Sequence, residues 1–236
     1  MKACIFILVI SLVTISCKEN SLDTSVPETD YLSTWFIQNE DSLYYEFIKT
    51  VKDNFLSGNT DTSWGEVALK SADSLTFMGR FTLETKKYCD SLEVTFFYNK
   101  GNTPHSRILI TTNYNRTLTK ALDSIFKIAP NPKHFVIEKY EQPNWDSDGF
   151  AFPNLNIDNK DLRILIKQNG KFSSLKIYIF TKNKNVTIDN ENQEILKKGL
   201  FGEELLLKKI DEIEFHFTDS INHNYLTLNE ARNKLR

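Results

Sequence analysis

The chain has 236 residues, of which 40% are apolar, 12% aromatic and 25% charged, a make-up that fits a folded globular protein and excludes a disordered or collagen-like one. Its 29 basic and 31 acidic side chains leave a net charge of −2 and an isoelectric point near 6.1. That balance supplies no basic footprint for nucleic acid and no polybasic patch for anionic lipid.

The first residues read MKACIFILVISLVTISC. Lys2 precedes an uncharged apolar run from Ala3 to Ile15, shorter than the ~20 residues a membrane-spanning helix needs. A basic start, a short apolar middle and a small residue before a cut make a secretory signal peptide. Val13-Thr14-Ile15-Ser16-Cys17 resembles the lipobox of bacterial lipoproteins, with a small residue directly before the cysteine. The resemblance implies that residues 1–16 are removed, that the Cys17 thiol receives a diacylglycerol, and that the new amino terminus is acylated, as by palmitate. Each buried methylene contributes ~0.8 kcal/mol, so two or three such chains hold firmly to a membrane of the cell envelope.

Residues 17–33 then read as the lipidated cysteine and a flexible tether, because Lys18 to Ser33 is polar, contains Pro27 and has no period. Lys18-Glu19 lacks the Asp of inner-membrane retention and resembles a surface-export signal, which points to the outer membrane. With Cys4 lost and Cys17 consumed, Cys89 remains as one leftover thiol, an argument against a disulfide scaffold. No His lies near it in sequence, so it reads as a packing residue rather than a nucleophile.

Residues 34–236 are expected to form one domain. Leu43, Phe47, Ile48, Val51 and Phe55 share a helical stripe, with Asn39 or Asp41 as the cap. A second helix is predicted over Ser63 to Ala72. Strands are predicted at Leu75–Phe81, Leu92–Tyr98 and Arg107–Thr112, the last two alternating apolar residues and joined by the turn residues Asn99-Lys100-Gly101-Asn102. Leu118, Ala121, Leu122, Ile125 and Phe126 predict a helix that Ala129-Pro130 ends. Strands at Phe135–Tyr140, Leu162–Lys167 and Leu175–Thr181 follow, the latter pair turning at Asn169-Gly170. A helix from Glu191 stops at Gly199 and another starts at Gly202. Ile213, Phe215 and Phe217 mark a closing strand, and the tail from Leu226 forms a short element. Neighbouring strands with few helices predict an α+β fold with a mostly antiparallel sheet. No internal repeat is visible.

Several patches together are similar to a family of uncharacterised bacterial domains, known only as a domain of unknown function. They are Trp35-Phe36-Ile37-Gln38-Asn39-Glu40, Ile108-Leu109-Ile110-Thr111-Thr112-Asn113, Ala129-Pro130, Gln142-Pro143 and Leu200-Phe201-Gly202-Glu203. Here Asn113 and His134-Phe135 stand where relatives tend to have a turn Gly and a strand Trp. The resemblance implies a fold and no catalytic residues.

No phosphate loop, Gly-x-Ser-x-Gly elbow, His-Glu-x-x-His or Cys-x-x-Cys occurs, and no cofactor is expected. Asn144, Asp146 and Asp148, followed by Gly149, match the first half of a calcium loop, but Leu155 stands where the bidentate Glu would be; a solvated turn is the plainer reading. Glu214 and His216 share a strand face, with His223 seven residues on, and such a pair can hold zinc or relay a proton. His105 and His134 have no evident partners. Five Asp-Ser pairs (Asp41-Ser42, Asp73-Ser74, Asp90-Ser91, Asp123-Ser124, Asp219-Ser220) are similar to an O-glycosylation acceptor of envelope proteins and equally suit caps and turns.

The expected function is therefore a lipid-anchored, non-enzymatic module that binds an envelope protein or a glycan. The alternatives are an envelope hydrolase or metal enzyme with a dispersed site at Asp146, Asp148, Glu214 and His216, and an immunity or stress-adaptor lipoprotein.

Overall fold

A computed structural model describes residues 31–53, 66–71, 73–99, 106–127, 130–143, 150–152, 155–182 and 187–236. The segment expected to be a signal peptide and Cys17 lie outside these residues, as do residues 144–149.

Helix α1 spans Tyr31–Val51 and buries Leu32, Phe36, Leu43, Phe47 and Val51 along one stripe. It begins before the predicted caps, so Leu32 and Ser33 are buried in the folded body rather than part of a tether. Asn39 instead donates its amide to the Trp35 carbonyl inside the helix, while the Asp41 carboxylate pairs outward with His134. Strand β1 (Glu66–Leu69) replaces the helix predicted over Ser63 to Ala72, because its backbone pairs with β2 (Glu93–Asn99). Helix α2 (Phe77–Lys86) replaces the strand predicted at Leu75–Phe81. Its first turn is fixed twice over: the Thr76 hydroxyl accepts from Gly79 N, and the Glu46 carboxylate of α1 accepts from the N–H groups of Phe77 and Met78. Those caps satisfy donors that no strand ladder would supply.

Strand β2 pairs antiparallel with β3 (Ser106–Thr111), as the alternation predicted. A 3₁₀ turn at Arg116–Leu118 leads into α3 (Thr119–Ser124), which stops well short of Ala129-Pro130. The Ser124 hydroxyl turns back onto the Ala121 carbonyl, Ile125 is extended and Phe126 has φ 47°. Leaving the helix there lets both apolar side chains enter the core, where Ile125 is fully buried. Strand β4 (Phe135–Lys139) then runs parallel to β3, giving the sheet order β1-β2-β3-β4. Phe36, Phe47, Phe81, Phe96 and Phe135 meet between α1, α2 and this sheet at ring separations of 5.9–6.5 Å, within the favourable range for tilted and edge contacts. Cys89 is buried in the same cluster and is disulfide-bonded, which corrects its reading as a lone thiol.

The second half begins after the hairpin β5 (Phe150–Phe152) and β6 (Leu155–Ile157). Strands β7 (Leu162–Asn169) and β8 (Phe172–Phe180) pair antiparallel about the Asn169-Gly170 turn, as expected. Helix α4 (Asn190–Lys208) crosses over to β9 (Ile210–Thr218), which runs parallel to β8. The tail is α5 (Leu228–Leu235), packed with α4 against Leu162, Ile164, Leu175, Ile177 and Ile179. The class is α+β with mainly antiparallel pairing, but each larger sheet contains one parallel pair, so both are mixed. Both halves also follow one order, a hairpin, a helix and a strand parallel to the hairpin's second strand (β2-β3-α3-β4 and β7-β8-α4-β9). Parallel neighbours require such a crossover, and the repetition is of topology with no trace in the residues.

Helix α5 starts with a capping box: Thr227 accepts from Glu230 N, and the Glu230 carboxylate accepts from Thr227 N. That backbone donor, followed by the Thr227 hydroxyl, holds the Glu230 carboxyl below its usual pKa. A carboxylate lowered on folding lends stability above its unfolded pKa and loses it as pH falls through the folded one. Amide-exchange protection factors at Thr227 and in the first turn of α5, corrected for the intrinsic rate, should therefore fall only below the ordinary Glu range. Protection already lost near neutral pH would show that the box does not hold the helix.

Candidate functional site

Two features distinguish the molecule: the junction between its halves and the open face of its second sheet. The junction is built on α4. Gly202 interrupts that helix with φ 68° and ψ 173°, a region that is essentially glycine's alone. The break frees carbonyls on one side and N–H groups on the other, and each finds a partner. Arg232 of α5, itself buried, donates to the Leu200 and Gly199 carbonyls at 2.6 and 3.4 Å. Glu203 N donates to the Glu141 carbonyl at 2.8 Å.

The Glu203 side chain, fully buried, reaches from α4 into the first half. One carboxylate oxygen accepts from Thr112 N, Tyr114 N and the Thr112 hydroxyl, the other from Glu141 N and the Thr111 hydroxyl. A buried charge is tolerated when it is hydrogen-bonded this fully. Around it, Arg116 donates to the Ile210 carbonyl at 2.6 Å and lies over the Phe172 ring, while Lys208 pairs with Asp123 at 2.7 Å. Thus Thr111-Thr112, Gln142-Pro143 and Gly202-Glu203, far apart in sequence, gather at one place. Their role here is structural.

The other feature is accessible. On β7, β8 and β9 the apolar residues face α4 and α5, so the alternate residues face outward. Register places Leu165, Lys176 and Glu214 in one outward row, and Arg163, Tyr178 and His216 in the next. His216 Nε2 lies 3.0 Å from the Glu214 carboxylate, which also binds Lys176 Nζ at 2.9 Å. Lys176 first, then His216, holds the Glu214 carboxyl below its usual pKa. The expected Glu–His pair is therefore real, and Lys176 shares the same Glu214 oxygen, Oε2, with His216. Among the described residues no group of three or more His, Cys, Asp or Glu side chains is placed to hold a metal ion. Asn144, Asp146 and Asp148 lie outside the described residues. His223 sits exposed in the turn after β9. His134, contrary to expectation, has partners: it stacks on Tyr44 at 4.3 Å and its Nε2 meets Asp41 at 2.9 Å.

The segment after β9 folds back over this outward face. Ile164 and Leu226 exchange both backbone hydrogen bonds, at 2.8 and 3.0 Å. That bridge holds Tyr225 beside Tyr178, whose ring lies between Tyr225, tilted to it at 5.0 Å, and His216, stacked on it at 5.2 Å. Beside the three rings is a hollow of about 180 Å³ lined by Tyr178, Phe180, Tyr225, Arg163, Asp161 and Asn222, among others. No family model, curated protein or solved structure matches the chain. The reading of this face accordingly rests on its own chemistry. Braced aromatic rings with a polar rim and a hollow between them are the make-up of a recognition surface. Of its members, sequence reasoning found only Glu214 and His216. Counting back from the Asn169-Gly170 turn would have set Arg163 opposite Tyr178, whereas nothing local signals Tyr225 or Asp161.

Proposed function

We propose that this chain is an envelope lipoprotein, lipidated at Cys17 and anchored to the outer membrane, whose folded part is a non-enzymatic binding module. The recognition surface is the outward face of the β7-β8-β9 sheet. The observation that carries the binding reading is the cluster of the His216, Tyr178 and Tyr225 rings beside a hollow. The anchor reading is supported by the apolar run Ala3 to Ile15 and by Val13-Thr14-Ile15-Ser16-Cys17. Among the described residues no helix is long and apolar enough to cross a membrane. The similarity to a domain of unknown function belongs to the same proposal, and the gathering of several of its patches around Glu203 is what supports it.

Expression with the native leader, followed by mass spectrometry of the amino-terminal peptide, tests the anchor. The expected product starts at Cys17 with a diacylglyceryl thioether, incorporates a palmitate analogue and partitions into detergent. Cys17→Ser should abolish labelling and leave the protein in the aqueous phase. Because Cys4 leaves with the leader, a disulfide of Cys89 in the mature protein would need the Cys17 sulfur, so bond and thioether exclude each other and intact-mass analysis decides between them. A Cys17 that carries no lipid label and is joined to Cys89 would overturn the lipoprotein reading.

A further inference from the structure

We propose that the hollow beside the ring stack binds a neutral sugar in its ring form, a proposal that rests on the binding-module reading and names its ligand class. A pyranose ring presents a face of C–H groups and a rim of hydroxyls, each both donor and acceptor. Its recognition therefore needs an aromatic surface for the face and fixed donors and acceptors for the rim. The hollow provides both. Phe180 and Tyr225, with the edge of Tyr178, supply the apolar wall, and Arg163, Asp161 and Asn222 the polar one. At about 180 Å³ it is a compartment for a single ring rather than for a drug-sized ligand or a folded partner's side.

The polar groups are also placed and free. Arg163 is pinned because its Nη1 donates to the carbonyls of Lys160 and Leu162, at 3.1 and 2.6 Å, which leaves Nε and Nη2 as donors. Asn222 is held by accepting from Asn224 N through Oδ1, which leaves its amide N–H groups. Among the described residues the Asp161 carboxylate and the Tyr225 hydroxyl have no hydrogen-bond partner, so an acceptor and a mixed donor–acceptor complete the rim. Tyr178 cannot swing, since His216 and Tyr225 lie against it. Pre-organisation of this kind lowers the entropy lost on binding. Charge decides the ligand class: Arg163 and Asp161 both line the hollow, so a phosphate or carboxylate drawn by one meets the other.

The test is calorimetric titration of the detergent-solubilised mature lipoprotein with glucose, galactose, mannose and N-acetylglucosamine, and with glucose 6-phosphate and inorganic phosphate as charged probes. At least one neutral sugar should saturate. Tyr225→Ala and Asp161→Ala should each weaken it at least about tenfold, a loss of ~1.4 kcal/mol. Tyr225→Phe keeps the ring and should stay within a few-fold, and Lys167→Ala, farther along the same face, should change nothing. Thermal melts of each variant separate lost binding from lost folding. The proposal is overturned if no neutral sugar saturates at millimolar concentration, if phosphate binds more tightly than any sugar, or if sugar binding survives Tyr225→Ala. If sugars fail while an envelope protein binds and is lost in Tyr225→Ala, the sugar assignment falls and the binding module stands. If that variant alters no binding of either kind, both fall.

Discussion

Replacing Gly202 by Ala is expected to destabilise the protein by about 3–5 kcal/mol, the sum of a residue forced into a glycine-only conformation and of a steric clash. A Cβ at this position would lie 2.6 Å from Pro143 Cδ, 2.7 Å from Pro143 N and 2.9 Å from the Glu141 carbonyl oxygen. Two of these atoms are backbone, and the third belongs to a ring that cannot rotate away. Relief requires the Glu141–Pro143 strand exit to move off α4, which would pull apart the Glu203 N to Glu141 carbonyl bond. For a chain of this length the melting temperature should fall by roughly 10 °C. Thermal denaturation followed by circular dichroism measures it. A fall worth under about 1 kcal/mol would mean that the kink is not required by the packing.

Glu203→Ala should cost a similar amount, about 3–5 kcal/mol, by a different mechanism. Truncation removes the acceptor of three backbone N–H groups, those of Thr112, Tyr114 and Glu141, and of the Thr111 and Thr112 hydroxyls. A buried donor left without a partner costs about 1–3 kcal/mol, and several are orphaned together, partly relieved where water can enter. Glu203→Gln can keep an oxygen for Thr112 N and Tyr114 N while the Thr111 hydroxyl rotates to accept from its amide, so only the Glu141 N–H is left facing a donor and the loss should be smaller. Urea unfolding of the three proteins orders them. Equal stability of the Ala variant and the parent would remove Glu203 as the tie between the halves.

How legible the fold was depended on where each segment takes its stability. Strands β2, β3, β7 and β8 are legible because their core-facing side chains recur at every second position, as Val94 and Phe96 and again Ile108 and Ile110 do. The Asn169-Gly170 turn set a register that the structure keeps. Segments whose partners are distant were misread. Phe77–Lys86 carries mixed local signals, and its first turn is secured by Glu46 on another helix. The Leu118–Phe126 stripe has helical spacing, yet burial of Ile125 and Phe126 is better met by leaving the helix. At the candidate site, Glu214 and His216 were visible because two residues apart on a strand means one shared face. Tyr225 and Asp161 join them only through the Ile164–Leu226 bridge and the path of the loop before β7, neither of which is written in local sequence.

The kinked helix α4 has a further consequence for how the halves communicate. Leu196, Leu200, Phe201 and Leu205 belong to the core beneath the ring stack, whereas Leu207 belongs to the aromatic core of the first half. One rod thus serves as a beam in two rooms, with Gly202 and Glu203 as the joint between them. Neither core can open fully without loosening an element the other depends on. A ligand held at Tyr178 would raise the melting point of the whole chain by mass action, and the distant phenylalanine cluster around Phe36 would feel the occupancy of a surface it never touches.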